Sequence, residues 1–336
     1  MIRIFHNTRF EFVKHWRLAA GLTVAFIVVG LVTFVITGGV KYSIEFTGGT
    51  LMQVQFKEAP DVAVIRSTLD KAGIGGTEIQ QYGSATEYTI RARDEKQVEA
   101  QAAGAEGISK EIGAALEQQF GAGNVTVVRT EAVGPKVGSE LRSGAATAMI
   151  LASLLTLFYL AIRFDWRFGA AAVISTSHDI LVTFAFIKIF DLEVSLTVVA
   201  AILTLLGYSA NDTIIIFDRV RENLRKPHRG EKLAAILDRS INETLPRSIM
   251  THATTLAATL ALLFIAGEVI RPFAWVMAFG VFVATFSSMY VAGPILLWIE
   301  SRYPREAEDG TARAIRKGNE PVPPTASGRS ERLAAR

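Results

Sequence analysis

Leu205–Glu222 reads LLGYSANDTIIIFDRVRE. It opens as an apolar helix able to lie inside a bilayer and places Asn211 and Asp212 side by side. It then resumes as Ile214-Ile215-Ile216-Phe217 and ends in Asp218, Arg219, Arg221 and Glu222. The charged end marks a water boundary. Asp212 lies six residues before Asp218, so at the rise of an α-helix it sits ~9 Å deeper. A carboxylate at that depth is costly, and an ionisable residue inside a membrane is by default a functional-site hypothesis. The plainer reading is an Asp that only hydrogen-bonds a neighbouring helix.

The whole chain fits a membrane setting. Half of its 336 residues are hydrophobic and its mean hydropathy is +0.32. Long apolar runs alternate with polar segments, which is the pattern of a polytopic membrane protein. There is no cysteine, which excludes disulfides and thiolate chemistry. The net charge of +3 matters less than where the basic residues lie.

Residues 1–17 are polar and aromatic, with Arg3, Arg9, Lys14 and Arg17. Residues 18–37 are apolar and uncharged, ~20 residues, enough for one crossing. Their length and the lack of a small-residue cleavage site argue for an uncleaved span rather than a signal peptide. From 38 to 144 no run is long enough to cross a membrane. Met52, Val54 and Phe56 alternate with Gln53 and Gln55, as in a half-buried strand. Pro60 and Asp61 open a helix with Val62, Ile65 and Leu69 on one face, and Gly73 closes it. Thr77–Tyr82 and Glu87–Arg93 read as strands joined by a Gly-Ser-Ala turn. Ile108, Ile112 and Leu116 mark a second helix stopped by Gly121, and Val125 and Val127 a last strand. A further leading strand is expected at Tyr42–Phe46, and Ala100–Gly107 reads as loop. The order is that of a split βαβ, ferredoxin-like domain.

Five more apolar runs follow, at 145–162, 168–190, 196–217, 248–266 and 273–300. Residues 218–247 read as a cytoplasmic loop, and 301–336, charged and rich in Pro, Gly, Ala and Ser, as a disordered cytoplasmic tail. Arg163 and Arg167 occupy one connector. Arg219, Arg221, Arg225, Lys226, Arg229, Lys232 and Arg239 occupy another, and Arg302, Arg305, Arg313, Arg316 and Lys317 follow the last run. The opposite connectors, 191–195 and 267–271, hold only Arg271. The positive-inside rule then places both termini in the cytoplasm and the soluble domain outside. Lys188 is expected to snorkel. The fold class is a polytopic α-helical membrane protein with six transmembrane helices. One α+β ferredoxin-like periplasmic domain lies between helices 1 and 2. No internal repeat is visible, so the chain reads as one half of a transporter that needs a partner.

Polar residues inside the runs are the candidates for chemistry. His178 and Asp179 lie ~16 Å from the cytoplasmic end of the third run. Arg247 opens the fifth run after Pro246, followed by Thr251, His252, Thr254 and Thr255. An arginine near Asp212 would favour the carboxylate while burial opposes it, so a mobile arginine would let Asp212 bind and release a proton. His178 and Asp179 would pass or hold the proton, or else form a structural pair. Arg247 alternatively anchors the helix end at phosphates, and Asn211 and the threonines glue helices together. The run Arg219–Arg229 suits anionic lipid or orientation alone. Zinc motifs and glycine-rich nucleotide loops are absent from the sequence, so no metal, cofactor or nucleic-acid partner is expected.

Several motifs occur together and in order. They are Phe46-Thr47-Gly48-Gly49-Thr50, Val133-Gly134-Pro135-Lys136-Val137-Gly138-Ser139-Glu140-Leu141, Gly207-Tyr208-Ser209-Ala210-Asn211-Asp212-Thr213, Phe217-Asp218-Arg219-Val220-Arg221-Glu222-Asn223 and Arg247-Ser248-Ile249. In these the chain resembles the SecF subunits of the bacterial SecD–SecF protein-export complex, within the resistance-nodulation-division superfamily, from about Met1 to Tyr303. The resemblance implies a multi-pass subunit of the bacterial inner membrane. It implies that the subunit works with SecD, the SecY-containing channel and a translocating preprotein, and uses the proton motive force on the periplasmic side. It implies that Asp212 is the proton-path aspartate, Arg247 its partner, and Phe46–Thr50 the base of the periplasmic domain. His252 and Ala210 depart from the pattern, at positions where a small polar and a larger apolar residue are expected. A proton-coupled small-molecule efflux half-transporter and a non-conducting assembly factor are the rival classes. The single small outer domain argues against the first.

Overall fold

The computed structural model describes residues 8–92, 104–226, 231–267 and 269–303. The expected tail from 304 onward, residues 1–7, residues 100–103 of the expected loop, and Arg229 lie outside the described residues. Six helices among those described are long and apolar enough to cross a membrane. They are α1 (Trp16–Ile36), α5 (Pro135–Arg163), α6 (Trp166–Ile189), α7 (Leu196–Arg225), α8 (Leu233–Ile265) and α9 (Arg271–Tyr290), which continues as α10 (Ala292–Arg302). Between α1 and α5 lie α2 (Ile44–Thr47), β1 (Gly49–Phe56), α3 (Val62–Lys71), β2 (Glu78–Gln81), β3 (Glu87–Ala92), α4 (Gly104–Phe120) and β4 (Val125–Val133).

The strands form one antiparallel sheet in the order β2-β3-β1-β4. Alternation along β1 puts Met52, Val54 and Phe56 on the face that also receives Tyr88 and Ile90 of β3, Ile65 and Leu69 of α3, and Ile112 and Leu116 of α4. Asp61 caps α3 by accepting from the Ala63 amide at 2.8 Å. Gly73 and Gly121 end the two helices with φ of +81° and +92°, a conformation that favours glycine.

The long helices segregate by burial. Leu18, Leu22 and Ile36 of α1, and Ile150, Leu154, Phe158 and Ile162 of α5, are exposed. Apolar side chains on all sides of a helix are stable only against lipid or further apolar helices. The central helices α6, α7 and α9 are packed within the bundle. Gly30 of α1 lies so close to Ala185 of α6 that a Cβ would meet the alanine Cβ at 2.5 Å. Small residues at such crossings let backbones approach within a membrane.

Four expectations are corrected. The leading strand at Tyr42–Phe46 is a single bridge from Tyr42 to Val194 followed by the short helix α2. Its residues alternate over too few positions to distinguish strand from helical turn, and their partner, Val194, is far away in the chain. The connector 218–247 is mostly helix, because α7 runs on to Arg225 and α8 starts at Leu233. Pairs Arg219–Glu222, Asp218–Arg221 and Glu222–Lys226 at helical spacing support α7 beyond its apolar part. The second long helix begins at Pro135, ten residues before the apolar run at 145, and Gly104–Gly107 belong to α4 rather than to a loop.

The turn into β1 packs directly on a long helix. Gly48 (φ +72°) and Gly49 (φ +121°) turn the chain from α2 into β1. A Cβ on Gly138 of α5 would lie 2.8 Å from the Gly48 nitrogen. That neighbour is backbone and cannot rotate away. Gly138→Ala is therefore expected to cost about 1–3 kcal/mol by overpacking, whereas Gly144→Ala, one helical face away with nothing within 4 Å, should be tolerated. Thermal unfolding of the purified variants in detergent measures both, and equal midpoints would remove the contact from the account.

Candidate functional site

Asp212 is 4% exposed, packed on the inner side of α7. Its Oδ1 accepts a 2.7 Å hydrogen bond from Ser248 Oγ of α8. Oδ2 has no protein hydrogen-bond partner among the described residues. Ser248 also accepts through its carbonyl from His252 Nδ1 at 2.6 Å. A carbonyl cannot donate, so the proton of that bond resides on Nδ1. The His252 ring stands edge-on to Tyr208, whose hydroxyl donates to Thr251 O and Thr255 Oγ1 at 3.2 and 3.3 Å. His252, Tyr208 and Ser248 thus form a polar seam between α7 and α8 next to Asp212.

A second carboxylate lies on α6. Asp179 is 7% exposed; Oδ1 is bonded to His178 Nδ1 at 2.9 Å and Oδ2 accepts from Ser209 Oγ of α7. Ser209 precedes Asp212 by three residues and shares its face of the helix. Thr176, Asp179, Thr183, Ser209 and Gly280 border a small cavity with ~10 Å³ for a water centre, about one molecule. Ser175 of α6 and Ser287 of α9 meet nearby at 2.9 Å. Gly280 leaves the space that the Leu205 side chain fills; a Cβ there would make that side chain move. The geometry joins α6, α7 and α8 through His178, Asp179, Ser209, Asp212, Ser248 and His252.

The structure brings His178 and Asp179 together as their adjacency suggests. It does not bring Arg247 to Asp212. Arg247 is exposed on the outer side of α8, and the residue after it reaches the carboxylate instead. Arg247 also does not open a helix, since Pro246 and Arg247 lie inside α8. Asn211 is exposed and turned away from Asp212. Sequence reasoning gave Ser209 and Ser248 no role. Their one legible signal is position, three residues before Asp212 and directly after Arg247.

The Phe46–Thr50 stretch sits at the foot of the sheet. Phe46 is buried against Val198, Ile202 and Val276 of α7 and α9, and Thr50 is buried in β1. Thr47 Oγ1 donates to Ser43 O, closing the turn that Gly48 and Gly49 continue. Ser43 N donates to Val194 O at 2.9 Å, and Val194 N to Lys41 O at 2.8 Å. Glu45 Oε2 accepts from the Leu196 amide at 2.6 Å, satisfying one of the free N–H groups at the start of α7. Lys188, at the end of α6, points to Asp191 Oδ1 at 4.0 Å.

Residues 112–302 match the family described as protein export membrane protein SecD/SecF, C-terminal, and residues 33–60 match the SecD/SecF GG motif. Protein translocase subunit SecF of Gemmatimonas aurantiaca is 74% identical over 336 residues, covering 100% of both chains. The SecF of Vibrio alginolyticus is 38% identical over 84% of this chain and 87% of its own. Among solved structures, SecDF of Thermus thermophilus, described as a translocon-associated membrane protein, superimposes with a TM-score of 0.78 at 32% identity. That match covers 90% of this chain and 40% of the longer SecDF chain. A SecDF in a super-membrane-facing form gives 0.63 at 32% identity, over 94% and 41%. With the glycine motif at the foot of the sheet and full-length identity of this order, the chain belongs to the SecF family of protein translocase subunits.

Proposed function

We propose that the chain works with SecD at the SecY-containing channel of the bacterial inner membrane, and that proton flow through Asp212 drives preprotein export. In this reading both termini are cytoplasmic, and the βαββαβ sheet with its two helices is a ferredoxin-like periplasmic domain. The carrying observation is Asp212 itself, a carboxylate inside an apolar helix bundle whose described protein partner is one serine. A hydroxyl can donate to a carboxylate or accept from a carboxylic acid, so Ser248 suits either protonation state. His178 and Asp179 extend the path through Ser209, one turn along α7 from Asp212.

Arg247 and Asn211 support a partner. Both are exposed on the bundle's outer side, close to Asp212 in sequence or across the helix pair. A guanidinium and an amide facing hydrocarbon are costly, and helices of SecD would cover them. Pro246 removes one backbone hydrogen bond directly before Arg247, which gives α8 a natural bend. Movement there exchanges the Ser248 contact for Arg247, and the arginine then favours release of the proton. The membrane potential adds ~2.3 kcal/mol per charge per 100 mV, enough to bias states a few kcal/mol apart. The sheet domain, seated on α5 and α7, would be the part that meets the emerging preprotein.

Asp212→Asn, in membrane vesicles carrying the SecD partner and an imposed proton gradient, should export preprotein no faster than vesicles without the gradient. Undiminished gradient-dependent export would remove Asp212 from the mechanism. Ser248→Ala leaves both Asp212 oxygens without a protein donor and should cost about 1–3 kcal/mol, read as a lowered unfolding midpoint in detergent. Arg247→Lys retains the charge and loses the planar fork, so it should export more slowly than the parent. Full complementation of a depleted strain would show that charge alone suffices.

A further inference from the structure

The sheet domain is held to the membrane helices by more than its backbone. Arg91 of β3 reaches out of the sheet to Glu193, in the connector between α6 and α7, with Nη2 to Oε1 at 2.5 Å. Its other nitrogen, Nη1, donates to Glu78 Oε2 of β2 at 3.1 Å. Alongside, Lys41 pairs with Asp191 of the same connector at 2.5 Å. Arg91 is thus shared between a carboxylate of its own sheet and one of the helix pair that carries Asp179 and Asp212.

We infer that the Arg91–Glu193 ion pair is a releasable tie that fixes the sheet domain against the outer tip of α6–α7, and that export requires it to open. The inference rests on the export function proposed above.

Three features make this tie easy to release. Burial pushes the Glu193 carboxyl above its ordinary range even with the Arg91 guanidinium beside it, while Glu78 adds repulsion and Lys41 a weaker attraction. The desolvation cost of such a pair offsets much of its attraction. The Glu193 side chain also stays a third exposed, so water is at hand to solvate the carboxylate when Arg91 leaves. Finally, Arg91 keeps Glu78 when Glu193 lets go, so release strands no guanidinium inside the domain. The entry into β1 is the turn at Gly48 and Gly49, both at positive φ and seated against Gly138 of α5. That turn is a pivot about which the sheet can tilt once the tie is open.

The chain has no cysteine, so introduced thiols report alone. Arg91→Cys/Glu193→Cys, in complex with a cysteine-free SecD partner, is joined by a reducible bis-methanethiosulfonate linker of side-chain length. Export by the linked complex should fall by about fivefold or more and return on adding reductant, in the range of ordinary coupling between sites. Separately, spin labels at Gln80 and Val269, both exposed, should give a broader distance distribution in Glu193→Gln than in the parent. Linked and reduced complexes exporting equally would overturn the inference, as would an unchanged distance distribution. Asp212→Asn assayed beside them separates the two readings. Arrest by the linker with export retained in Asp212→Asn keeps the tie and discards the proton path; the converse discards the tie.

Discussion

A carboxylate withdrawn from water, with a single hydroxyl to hold it, is the constraint on which this structure turns. Asp212 could be stabilised by a permanent cation, and then it would stay ionised. The structure gives it Ser248 instead. A serine hydroxyl can donate to a carboxylate or accept from a carboxylic acid by rotating one proton. The surroundings hold the pair tightly. Ala210 and Ser209 on α7 and Gly280 on α9 are small and let the helices approach closely, so the carboxylate is shielded from bulk solvent. Asp179 is the contrasting case, with both oxygens engaged by His178 and Ser209. Of the two acids, Asp212 has the fewer commitments.

Much of the architecture was legible because burial imposes period. The alternation of Met52, Val54 and Phe56, the helical spacing of Ile65 with Leu69 and of Ile108, Ile112 and Leu116, and the glycine stops are each local, and each appears where the sequence puts it. What failed was non-local. Tyr42–Phe46 reads as a strand, but its conformation is decided by Val194 and by the free amides of α7 that Glu45 caps. Residues 218–247 read as loop because they are charged, yet helices in water need charge on their surface, and side-chain pairs across α7 and α8 (Arg219 to Glu243, Asn223 to Ser240) hold this part together.

The candidate site shows the same division. The depth of Asp212 and the adjacency of His178 to Asp179 follow from counting residues. The partner of Asp212 does not. Neighbouring residues on an α-helix point ~100° apart, so the choice between Arg247 and Ser248 depends on the rotation of α8. That rotation is fixed by packing along the whole helix, including Asn242 and Asp238, which hold the backbone of residues 10 and 13 near the N-terminus. No local pattern in the sequence encodes it. A charge is the more conspicuous residue, and the serine beside it makes the contact.

The helix pair α6–α7 then explains why the acid and the sheet domain need not touch. Both buried carboxylates lie on this pair, Asp179 on the first helix and Asp212 on the second, linked through Ser209. Its connector bears Asp191, Glu193 and Val194, which hold Lys41, Arg91 and the backbone before α2. Helices are stiff along their axes and cores are bistable rather than continuously soft, so a change of packing around either acid displaces the connector more readily than it bends the helices. The connector is also where the sheet domain is gripped by charge, while Gly48 and Gly49 turn the chain into β1 against α5. In the proposed export reading a proton would not have to reach the sheet domain to act on it: a change in how two helices sit against α8 and α9 would be carried by their shared tip to β3.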